Sequence, residues 1–588
     1  MFESRVEISG KDVAYVSVAS GAWKEVFWED FYKQSKEFAS GLISLGVKPG
    51  DRVCMIAQNR PESYSVIMGV LMIGAVFAPV YHNEIAPGLS YIVNNVEAEI
   101  IIGEDQEQLD KIIEIRDEIP SFRHAVIYDK YEPKDLPWVE RFNSVCARGR
   151  KLTDENGPEL SRRVEDQKPS DTSVIMHTSG TTGPPKGVNY THKSLMFFIH
   201  SYSVSLPLDP SSDVIMLYLP LAHAGGLNAG IFFQIYADIT GFFAESWDEL
   251  SHNLLEVSPT FYVSMPRILE KYYSRVHTMI DDAPYIQNRL SKWSLKNGKK
   301  VSEFKLAEKP VPLFLKLNNV IADIILFRKI RKLFGGRIRF AASGGAPISP
   351  LIIEFFHSVG LLILEQYGST ETGIITANLE NDFCFGSVGK PLPGVEVNIH
   401  DDGEILYRGE GACKGYWRNE EETKKLIRDG WLYSGDTGKI DDQGFIWITD
   451  RKKDLIITAG GENLAPANIE NLMKTSKYIS ECIVFGDKKP YVVSLLSLDE
   501  DETTKFARDN RIIFGNFEDL TKKLQVVDLI TKTVNDLNKN LPRMAQLKYF
   551  KILGDELDID ENEVTPTLKV KRRIIGKKYK ELIKSMYP

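Results

Sequence analysis

The sequence predicts an α/β fold with at least two domains. Its 588 residues exceed the length at which a single hydrophobic core stops growing. Amphipathic helical patterns alternate with short apolar strands from the start of the chain, which is typical of a parallel α/β sheet. From about residue 386 the pattern changes to short strands and turns rich in Gly, Asp and Pro, and a fresh α/β pattern follows Lys453.

The first elements follow in order along the chain. Residues 28–46, "WEDFYKQSKEFASGLISLG", space their apolar side chains by three and four and end at glycine, a typical helix stop. Residues 51–57, "DRVCMIA", are predicted as a strand, and residues 97–104, "EAEIIIGE", contain another. The apolar run 66–80 is shorter than the ~20 residues of a membrane helix. We therefore expect a buried helix that leads into a buried strand.

Residues 266–335 show a different pattern. Residues 266–280 and 313–336 are predicted as long amphipathic helices, with a polar stretch at 291–310 between them. The second helix ends in a basic cluster, so the segment 313–339 is basic as well as amphipathic. Two interpretations stay open: a packed helix with a solvated basic face, or peripheral contact with an anionic membrane surface.

Composition limits the classes of partner and compartment. The net charge of −9 and the pI near 5.8 give no argument for a nucleic-acid partner. The five cysteines are scattered and form no CxxC pair, so we expect neither a zinc site nor a disulfide framework. The N-terminus lacks the basic start and apolar core of a signal peptide. These features predict a cytoplasmic protein without a transmembrane segment.

A loop rich in glycine and hydroxyl groups, "HTSGTTGPPKGVNYTH" at 177–192, predicts phosphate binding. A Walker loop requires Gly-Lys-Ser/Thr, but Lys186 is preceded by Pro185 and followed by Gly187. The hydroxyls and the lysine remain suited to holding polyphosphate oxygens. The candidate phosphate-binding residues are Thr178, Ser179, Gly180, Thr181, Thr182, Gly183 and Lys186.

The stretch "TSGTTGPPKG" resembles the phosphate loop of the adenylate-forming superfamily, which includes acyl-CoA synthetases, peptide-synthetase adenylation domains and firefly-type luciferases. Further stretches match in the expected order: "SGGAP" (343–347), "QYGSTETG" (366–373), "YSGDTG" (433–438), "DRKKDLIITAGGENLAPANIE" (450–470) and "TPTLKVKRR" (565–573). The resemblance covers essentially the whole chain. It implies a large N-terminal adenylate-forming domain of packed α/β subdomains with a β-rich subdomain, residues 1–452. A smaller, mobile α+β C-terminal domain follows at 453–588.

The superfamily reaction joins a carboxylate to the α-phosphorus of ATP, and a thiol, usually that of CoA, then displaces AMP. The resemblance implies that Tyr367 flanks the adenine and that Thr370 contacts the α-phosphate. It assigns magnesium to Glu371, and Thr178 is a second candidate metal contact. The other nucleotide-binding candidates are Gly345, Ala346, Pro347, Gln366 and Gly368.

Further roles follow from the same resemblance. Asp436 is expected to accept hydrogen bonds from both ribose hydroxyls, because a carboxylate offers two oxygens. Arg451 stands where the family places a second ribose contact. Lys453 aligns with the inter-domain hinge residue. Gly460 and Gly461 are assigned to the surface that faces CoA after the small domain rotates.

Two candidates keep alternatives. Lys569 stands where the family has the lysine that binds both the carboxylate and the α-phosphate. Many members carry Ser-Gly directly before it, whereas this chain has "PTLKVK", so Lys571 stays open as the alternative. His223, in "LPLAHAGG", occupies the family's acyl-pocket motif, and a hydrogen-bonded core histidine is its alternative.

The substrate prediction rests on the segment 266–335 and its start "VSMPRILEKYY". Both resemble long-chain acyl-CoA synthetases, especially the bubblegum-type branch, which also carries "ITAGGEN". The implied function is ligation of a long-chain fatty acid to CoA with ATP and Mg²⁺. A ligase for medium-chain or aromatic carboxylates is the alternative. A non-catalytic nucleotide- or lipid-binding homologue is a remote one, because it would be expected to lose Glu371, Asp436 or Lys569. Chain-length preference and oligomeric state stay open.

Overall fold

The computed structural model describes residues 1–132, 136–178, 184–557, 563–565 and 569–588. The first part of the chain forms a seven-stranded sheet in the order β7-β6-β5-β3-β4-β8-β9, parallel except for the final β8–β9 hairpin. Its elements, with the strands β1 and β2 of a second sheet, are α1 (Phe2–Ser9), β1 (Val13–Ala19), β2 (Ala22–Phe27), α2 (Trp28–Ser44), β3 (Arg52–Ile56), α3 (Pro61–Met72), β4 (Val76–Val80), α4 (Ala86–Val96), β5 (Ile100–Gly103), α5 (Gln106–Ile115), β6 (His124–Ile127), β7 (Val139–Arg141), α6 (Phe142–Lys151), α7 (Thr153–Asp166), β8 (Thr172–Thr178) and β9 (Lys186–Thr191).

The next part completes a nine-stranded sheet in the order β16-β15-β14-β13-β12-β10-β11-β1-β2. Its central strands from β14 to β1 are parallel, and antiparallel pairs close both edges. The elements are α8 (His192–Ser205), β10 (Val214–Leu217), α9 (Ala224–Gly226), α10 (Phe233–Ala237), β11 (Thr240–Phe243), α11 (Leu250–Val257), β12 (Phe261–Ser264), α12 (Pro266–Asp281), α13 (Tyr285–Leu306), α14 (Leu313–Ala322), α15 (Arg328–Lys332), β13 (Phe340–Ser343), α16 (Pro350–Ser358), β14 (Leu362–Ser369), β15 (Gly373–Ala377) and β16 (Lys390–Pro391).

A β-rich unit follows, as the turn-rich pattern predicts. Its antiparallel five-stranded sheet runs β17-β18-β20-β19, with β21 paired to β20. The elements are β17 (Glu396–Ile399), β18 (Glu404–Arg408), α17 (Glu420–Leu426), β19 (Ile427–Arg428), β20 (Trp431–Ile440) and β21 (Ile446–Arg451).

The C-terminal part has its own hydrophobic core, which extends from Ile456 to Leu547. It contains a two-stranded hairpin and a three-stranded sheet in the order β24-β25-β26. The elements are β22 (Ile456–Ile457), β23 (Asn463–Leu464), α18 (Pro466–Met473), β24 (Ile479–Phe485), β25 (Val493–Leu498), α19 (Glu500–Asp509), α20 (Phe517–Thr521), α21 (Leu524–Asn538), β26 (Tyr549–Ile552), α22 (Arg572–Lys578) and α23 (Lys580–Lys584). The predicted α/β class, with a larger N-terminal and a smaller C-terminal part, is confirmed.

The predicted early elements are present. Helix α2 is followed by Gly46 at φ +81°, a left-handed conformation that glycine adopts without strain. The apolar run 66–80 divides between α3 and β4, and all five residues of β4 are buried. A parallel strand that is covered on both faces is expected to be continuously apolar.

The polar stretch 291–310 differs from the expectation, because most of it belongs to the 22-residue helix α13. The buried side of this helix is formed by small residues at helical spacing: Ser291, Ser294, Asn297, Gly298, Val301 and Ser302. A face of small, mostly polar residues has no hydrophobic period for a sequence pattern to detect. The helix is therefore stabilised by close packing that the sequence pattern does not reveal.

Candidate active site

A cavity of about 2140 Å³ lies at the carboxyl ends of the parallel strands in the nine-stranded sheet. His223 follows β10, Met265 follows β12, Gly345 follows β13, and Tyr367 lies in β14; all four line the cavity. The β8–β9 hairpin, the β-rich unit and the C-terminal segment that starts at Lys569 complete its wall. In open α/β sheets this end of the strands is where ligands bind.

The predicted phosphate loop joins the two strands of the β8–β9 hairpin. Thr178 and Lys186 are register partners at the loop end of the hairpin, and both line the cavity. The other loop candidates, Ser179, Gly180, Thr181, Thr182 and Gly183, lie outside the described residues. The structure therefore places the two ends of the loop at the cavity.

Lys186 lies in a network with the β-rich unit. Its ammonium pairs with Glu422 of α17 and lies 4.9 Å from the ring centre of Tyr416. The Tyr416 hydroxyl donates a 2.8 Å hydrogen bond to Oε1 of Glu371. Hydrogen bonds from Lys186 and Lys425 lower the pKa of Glu422 to about 2, so this carboxylate is ionised at neutral pH. The network connects the phosphate-loop lysine to the predicted magnesium-binding residue.

The "QYGSTETG" motif forms the end of β14 and the turn into β15. Both Thr370 and Glu371 line the cavity there. The Tyr190 hydroxyl donates to the Thr370 backbone carbonyl, and the Glu371 N–H donates to Ser369 Oγ at 3.1 Å. These bonds fix the turn, so the two side chains start from a rigid backbone.

Asp436 and Arg451 are register partners on β20 and β21. The Tyr367 hydroxyl donates a 2.7 Å hydrogen bond to Oδ2 of Asp436, and Arg451 Nε lies 3.4 Å from Oδ1. Burial raises the pKa of Asp436, while the Arg451 charge opposes this shift. The structure thus brings together the predicted adenine-flanking residue and both predicted ribose contacts.

The "SGGAP" loop after β13 contributes Gly345, Ala346 and Pro347 to the same wall. Gly345 has φ +84°, a conformation that favours glycine. Gln366 and Gly368 line the cavity beside it. The Gln366 Oε1 atom is buried and has no hydrogen-bond partner among the described residues, so it is available to a ligand donor.

His223, the predicted acyl-pocket residue, lines the cavity as a neutral histidine. Its Nδ1 accepts a 3.0 Å hydrogen bond from the Gly225 N–H. Burial, with a contribution from the Lys569 charge, lowers the pKa of His223 to about 4. Because Nδ1 is the acceptor, the neutral ring carries its proton on Nε2 and can donate it to a bound group.

Lys569 enters the cavity from the C-terminal segment. An antiparallel bridge between Val564 and Val570 and a 3.0 Å bond from the Lys569 N–H to Thr565 Oγ1 hold its backbone. Burial, and then the charge of Arg451, lowers its pKa to about 8, while Asp436 and Glu371 oppose the shift. Lys571 is not among the residues that line the cavity, and the charge that opposes its own lowered pKa is that of Glu84. The geometry therefore places Lys569 rather than Lys571 at the site.

The predicted hinge and thiol-facing residues occupy different places. Lys453 lines the cavity, and burial, with Arg451 beside it, lowers its pKa. Gly460 and Gly461 are exposed in the turn between β22 and β23, outside the cavity lining. In this arrangement Lys569 reaches the cavity and the glycine turn does not.

Several site residues have no counterpart among the sequence predictions. Tyr416 and Glu422 belong to the Lys186 network, in which Lys186 and Glu422 are 236 positions apart, and Tyr190 donates to the Thr370 carbonyl. Glu365 at the cavity wall accepts a 2.8 Å bond from the Gly386 N–H, and burial raises its pKa to about 8. The stretch "YWRNEEET" (416–423) holds an aromatic residue and a cluster of carboxylates, but only the fold brings them to the loop.

Comparison with known proteins identifies relatives over the whole chain. Residues 2–417 match the family described as "AMP-binding enzyme", and residues 453–588 match the family described as "AMP-binding enzyme C-terminal domain". A long-chain-fatty-acid–CoA ligase of Mycobacterium bovis is 32% identical over 581 residues, which cover 98% of this chain and 94% of that protein. A long-chain-fatty-acid–CoA ligase of Xenopus laevis is 30% identical over 620 residues, with 100% and 83% covered.

Solved structures share the fold. An anthranilate CoA ligase in complex with anthranoyl-AMP superimposes with a TM-score of 0.73 at 18% identity, covering 99% of this chain and 97% of that one. The adenylation domain of a carboxylate reductase from Mycobacterium chelonae gives a TM-score of 0.75 at 17% identity, covering 100% and 90%. At such identities the likeness establishes the architecture and leaves the substrate to other arguments.

Proposed function

The chain belongs to the family of AMP-binding enzymes, and from this premise we propose that it is a long-chain fatty acid–CoA ligase. The enzyme forms acyl-AMP and pyrophosphate from ATP and the acid, and CoA then displaces AMP. One observation carries the proposal: Lys569 shares a cavity with Glu371 and Asp436, and its pKa responds to both carboxylates. A homologue that merely bound nucleotide would not require all three.

In the first step two anions must meet, since a carboxylate attacks a phosphate. We assign Lys569 to bridge them, because a cation between carboxylate and α-phosphate stabilises the charge that develops in transfer. Thr370 contacts the same phosphate, and Lys186 with the loop hydroxyls holds the β- and γ-phosphates. His223, neutral and with its proton on Nε2, donates a hydrogen bond to the acyl carboxyl and helps align the attack.

The residues present suit a magnesium ion. Among the described residues there is no group of three or more His, Cys, Asp or Glu side chains arranged to hold a metal, so the ion would depend on phosphate oxygens and water, with Glu371 as its carboxylate ligand and Thr178 beside it. Such ligation is normal for Mg²⁺. When bound, the ion neutralises charge on the polyphosphate.

We assign the second step to another orientation of residues 453–588 about Lys453. That orientation withdraws Lys569 and presents Gly460 and Gly461 to the cavity and to CoA. The exposed turn at these glycines supports the assignment, because none of the described residues outside the turn itself lies within 4 Å of the place that a Cβ would take at Gly461. A thiol cofactor can approach such a backbone closely.

Apolar side chains form part of the cavity wall and suit an acyl chain. Leu219, Val263, Met265 and Ile268 line the cavity near His223, and its volume exceeds that of ordinary ligand pockets, about 300–1,000 Å³. The long-chain ligases among the relatives support the same substrate class. For location we propose a cytoplasmic enzyme that touches a membrane surface reversibly.

The test is CoA- and ATP-dependent thioester formation, with AMP release measured across acids from acetate to very long chains. We expect a maximum with long-chain acids. Activity confined to medium-chain or aromatic acids would keep the mechanism and reject the substrate. Absence of AMP with every acid would reject the ligase.

A further inference from the structure

Helix α14 and the π turn that follows it carry an apolar face that none of the described residues covers. It consists of Leu313, Phe314, Leu317, Val320, Ile321 and Ile324, whose exposed fractions lie between 50% and 74%. Their spacing follows one side of a helix that continues through the π turn Asp323–Phe327 into α15. Contiguous exposed apolar residues of this kind mark an interaction surface rather than an ordinary solvated one.

The core does not need this face. Leu315, Ala322, Leu326 and Phe327 on the other side of the same segment are buried against the protein. The segment is therefore apolar on both sides, and one side already supplies the packing that stabilises the helix. The outer side remains exposed, and a contiguous apolar patch of this kind is typical of an interaction site.

The charge around the face identifies the partner. Residues 285–339 contain fourteen Lys or Arg and three Asp or Glu, whereas the whole chain has a net charge of −9. Asp323 is paired with Arg328 and Arg331 at 2.7 and 2.6 Å, so even this carboxylate is neutralised. The exposed basic residues that flank the face on its own segment are Lys309, Lys316, Arg328, Lys329 and Lys332.

We propose that the face of α14 binds the surface of an anionic lipid bilayer. An apolar stripe bordered by Lys and Arg lies in the plane of a membrane interface, with the apolar side chains in the acyl boundary and the cations at acidic headgroups. The described helices include none with the length and apolarity needed to span a bilayer. The contact is therefore a reversible one at the surface.

Helix α13 lies between the segment that carries the apolar face and helix α16. A Cβ at Gly298 of α13 would meet Phe327 Cζ at 2.7 Å on one side and the Ser358 carbonyl of α16 at 2.4 Å on the other. Helix α16 begins at Pro350, which lines the cavity. Helix α13 therefore packs between the segment that carries the apolar face and α16, a helix that reaches the cavity wall at its other end. We add that acyl substrates reach the docked enzyme from the bilayer. This addition rests on the proposed function, whereas docking itself does not.

Vesicle co-sedimentation tests the proposal without substrate. Full-length protein is mixed with phosphatidylcholine vesicles with or without roughly a third of phosphatidylglycerol. We expect binding to the anionic vesicles that weakens at high salt. The variant Leu317→Ser/Val320→Ser/Ile321→Ser/Ile324→Ser is expected to lose binding about tenfold or more. Lys316→Gln/Lys329→Gln/Lys332→Gln should lose about fivefold per charge at low salt.

Matched controls come from the C-terminal part. Ile513→Ser/Leu524→Ser removes apolar side chains that are 88% and 71% exposed, and Lys522→Gln/Lys539→Gln/Lys584→Gln removes three exposed lysines. Both should bind vesicles like the wild type, and far-UV circular dichroism confirms that every variant is folded.

Two outcomes would overturn the proposal. One is wild-type protein that ignores anionic vesicles, or an apolar-face variant that binds them unchanged. The other is a dimer in sedimentation velocity that the apolar-face variant converts to monomer, without vesicle binding, since the face would then be covered by a second copy of the chain.

Discussion

Burial and two neighbouring carboxylates act in opposite directions on the pKa of Lys569. Burial and Arg451 disfavour its cation, while Asp436 and Glu371 favour it. We expect Lys569→Ala to slow acyl-AMP formation about 10²–10³-fold, the usual cost of losing one preorganised group that stabilises transition-state charge. Thioester formation from supplied acyl-AMP should be unchanged. Pyrophosphate exchange measures the first half-reaction, and thioester release the second.

Lys571→Ala is the matched control for this prediction. Its side chain lies outside the cavity lining, so both half-reactions should keep wild-type rates. If Lys571→Ala reproduced the loss instead, the lysine assignment would be reversed. An equal fall of both half-reactions in Lys569→Ala would contradict the separation of roles.

The pKa of Lys569 also predicts a pH profile. With a pKa near 8, the ammonium is present at pH 7 and is lost as the pH rises through 8. The kcat/KM for acyl-AMP formation, which reports groups of the free enzyme, should therefore fall above about pH 8. His223, with a pKa near 4, stays neutral throughout.

The variant Lys569→Arg checks this assignment, because a guanidinium stays protonated across the range. Its rates should be lower, but the fall near pH 8 should be absent. A wild-type profile that stays flat through pH 8 would show that another group carries the positive charge.

Under the proposed function, Glu422 and the polyphosphate of ATP compete for Lys186. The pair is about a third exposed, at 37% and 29%, so it contributes roughly 0–1 kcal/mol. We expect Glu422→Gln to lower the KM for ATP about two- to fivefold, because the lysine no longer has to leave a carboxylate. Glu421→Gln, whose side chain is 81% exposed and pairs with Lys425, is the control. A higher KM in Glu422→Gln would mean that the carboxylate positions the lysine instead.

At the residue scale, sequence motifs predicted the groups that would touch a nucleotide, and the structure gathers the described ones at one cavity. They did not predict the groups that hold those residues. Tyr190 is 180 positions from the Thr370 carbonyl that it binds. Such partners are specified by tertiary contact, and an aromatic residue in a strand has the same local pattern whether or not its hydroxyl supports a site.

At the scale of elements, hydrophobic periodicity predicted α2, β3 and the α3–β4 passage, because each buries an apolar face. It missed α13, whose buried face is built from Ser, Asn, Gly and Val. There the backbone approaches its neighbours so closely that larger apolar residues would not fit. A helix of this kind is specified by steric fit. The spacing of apolar residues in the sequence does not reveal such a fit.

This close approach makes Gly298 a test of the packing of α13. A methyl group there would lie 2.4 Å from the Ser358 carbonyl, so Gly298→Ala should destabilise the protein by about 1–3 kcal/mol. Apart from its chain neighbours and the backbone of its own helix, Gly157 in α7 has none of the described residues within 4 Å of the corresponding position. Because Pro158 follows and disfavours a helical conformation in a preceding residue that has a Cβ, Gly157→Ala should change the free energy of unfolding by no more than about 0.5 kcal/mol. Urea unfolding followed by fluorescence measures both, and a stable Gly298→Ala protein would refute the packing.

At the scale of the whole molecule, ion pairs at helix α12 hold the N-terminal part against the C-terminal part. Arg267 pairs with Glu481 at 2.7 Å, and Lys505 of α19 pairs with Asp282 just beyond α12 at 2.6 Å. Glu481 is 9% exposed, and Arg267 and Lys474 oppose the burial that raises its pKa. These contacts hold the orientation in which Lys569 reaches the cavity. Sequence motifs do not predict these ion pairs, because charged residues of this kind mostly lie on solvated faces.

If these contacts hold the adenylating orientation, breaking them should slow only the half-reaction that uses it. Arg267→Gln and Glu481→Gln should each reduce acyl-AMP formation about tenfold, within the 0.5–3 kcal/mol range of coupling between contacting residues. Thioester formation from supplied acyl-AMP should keep its rate or rise. The double variant should be no slower than either single one, because both remove the same pair.

Arg408→Gln is the control. It breaks an exposed pair with Glu396 in the β-rich unit and should change neither step. Additive losses, or equal losses in both half-reactions, would mean that α12 supports the fold generally and does not select an orientation.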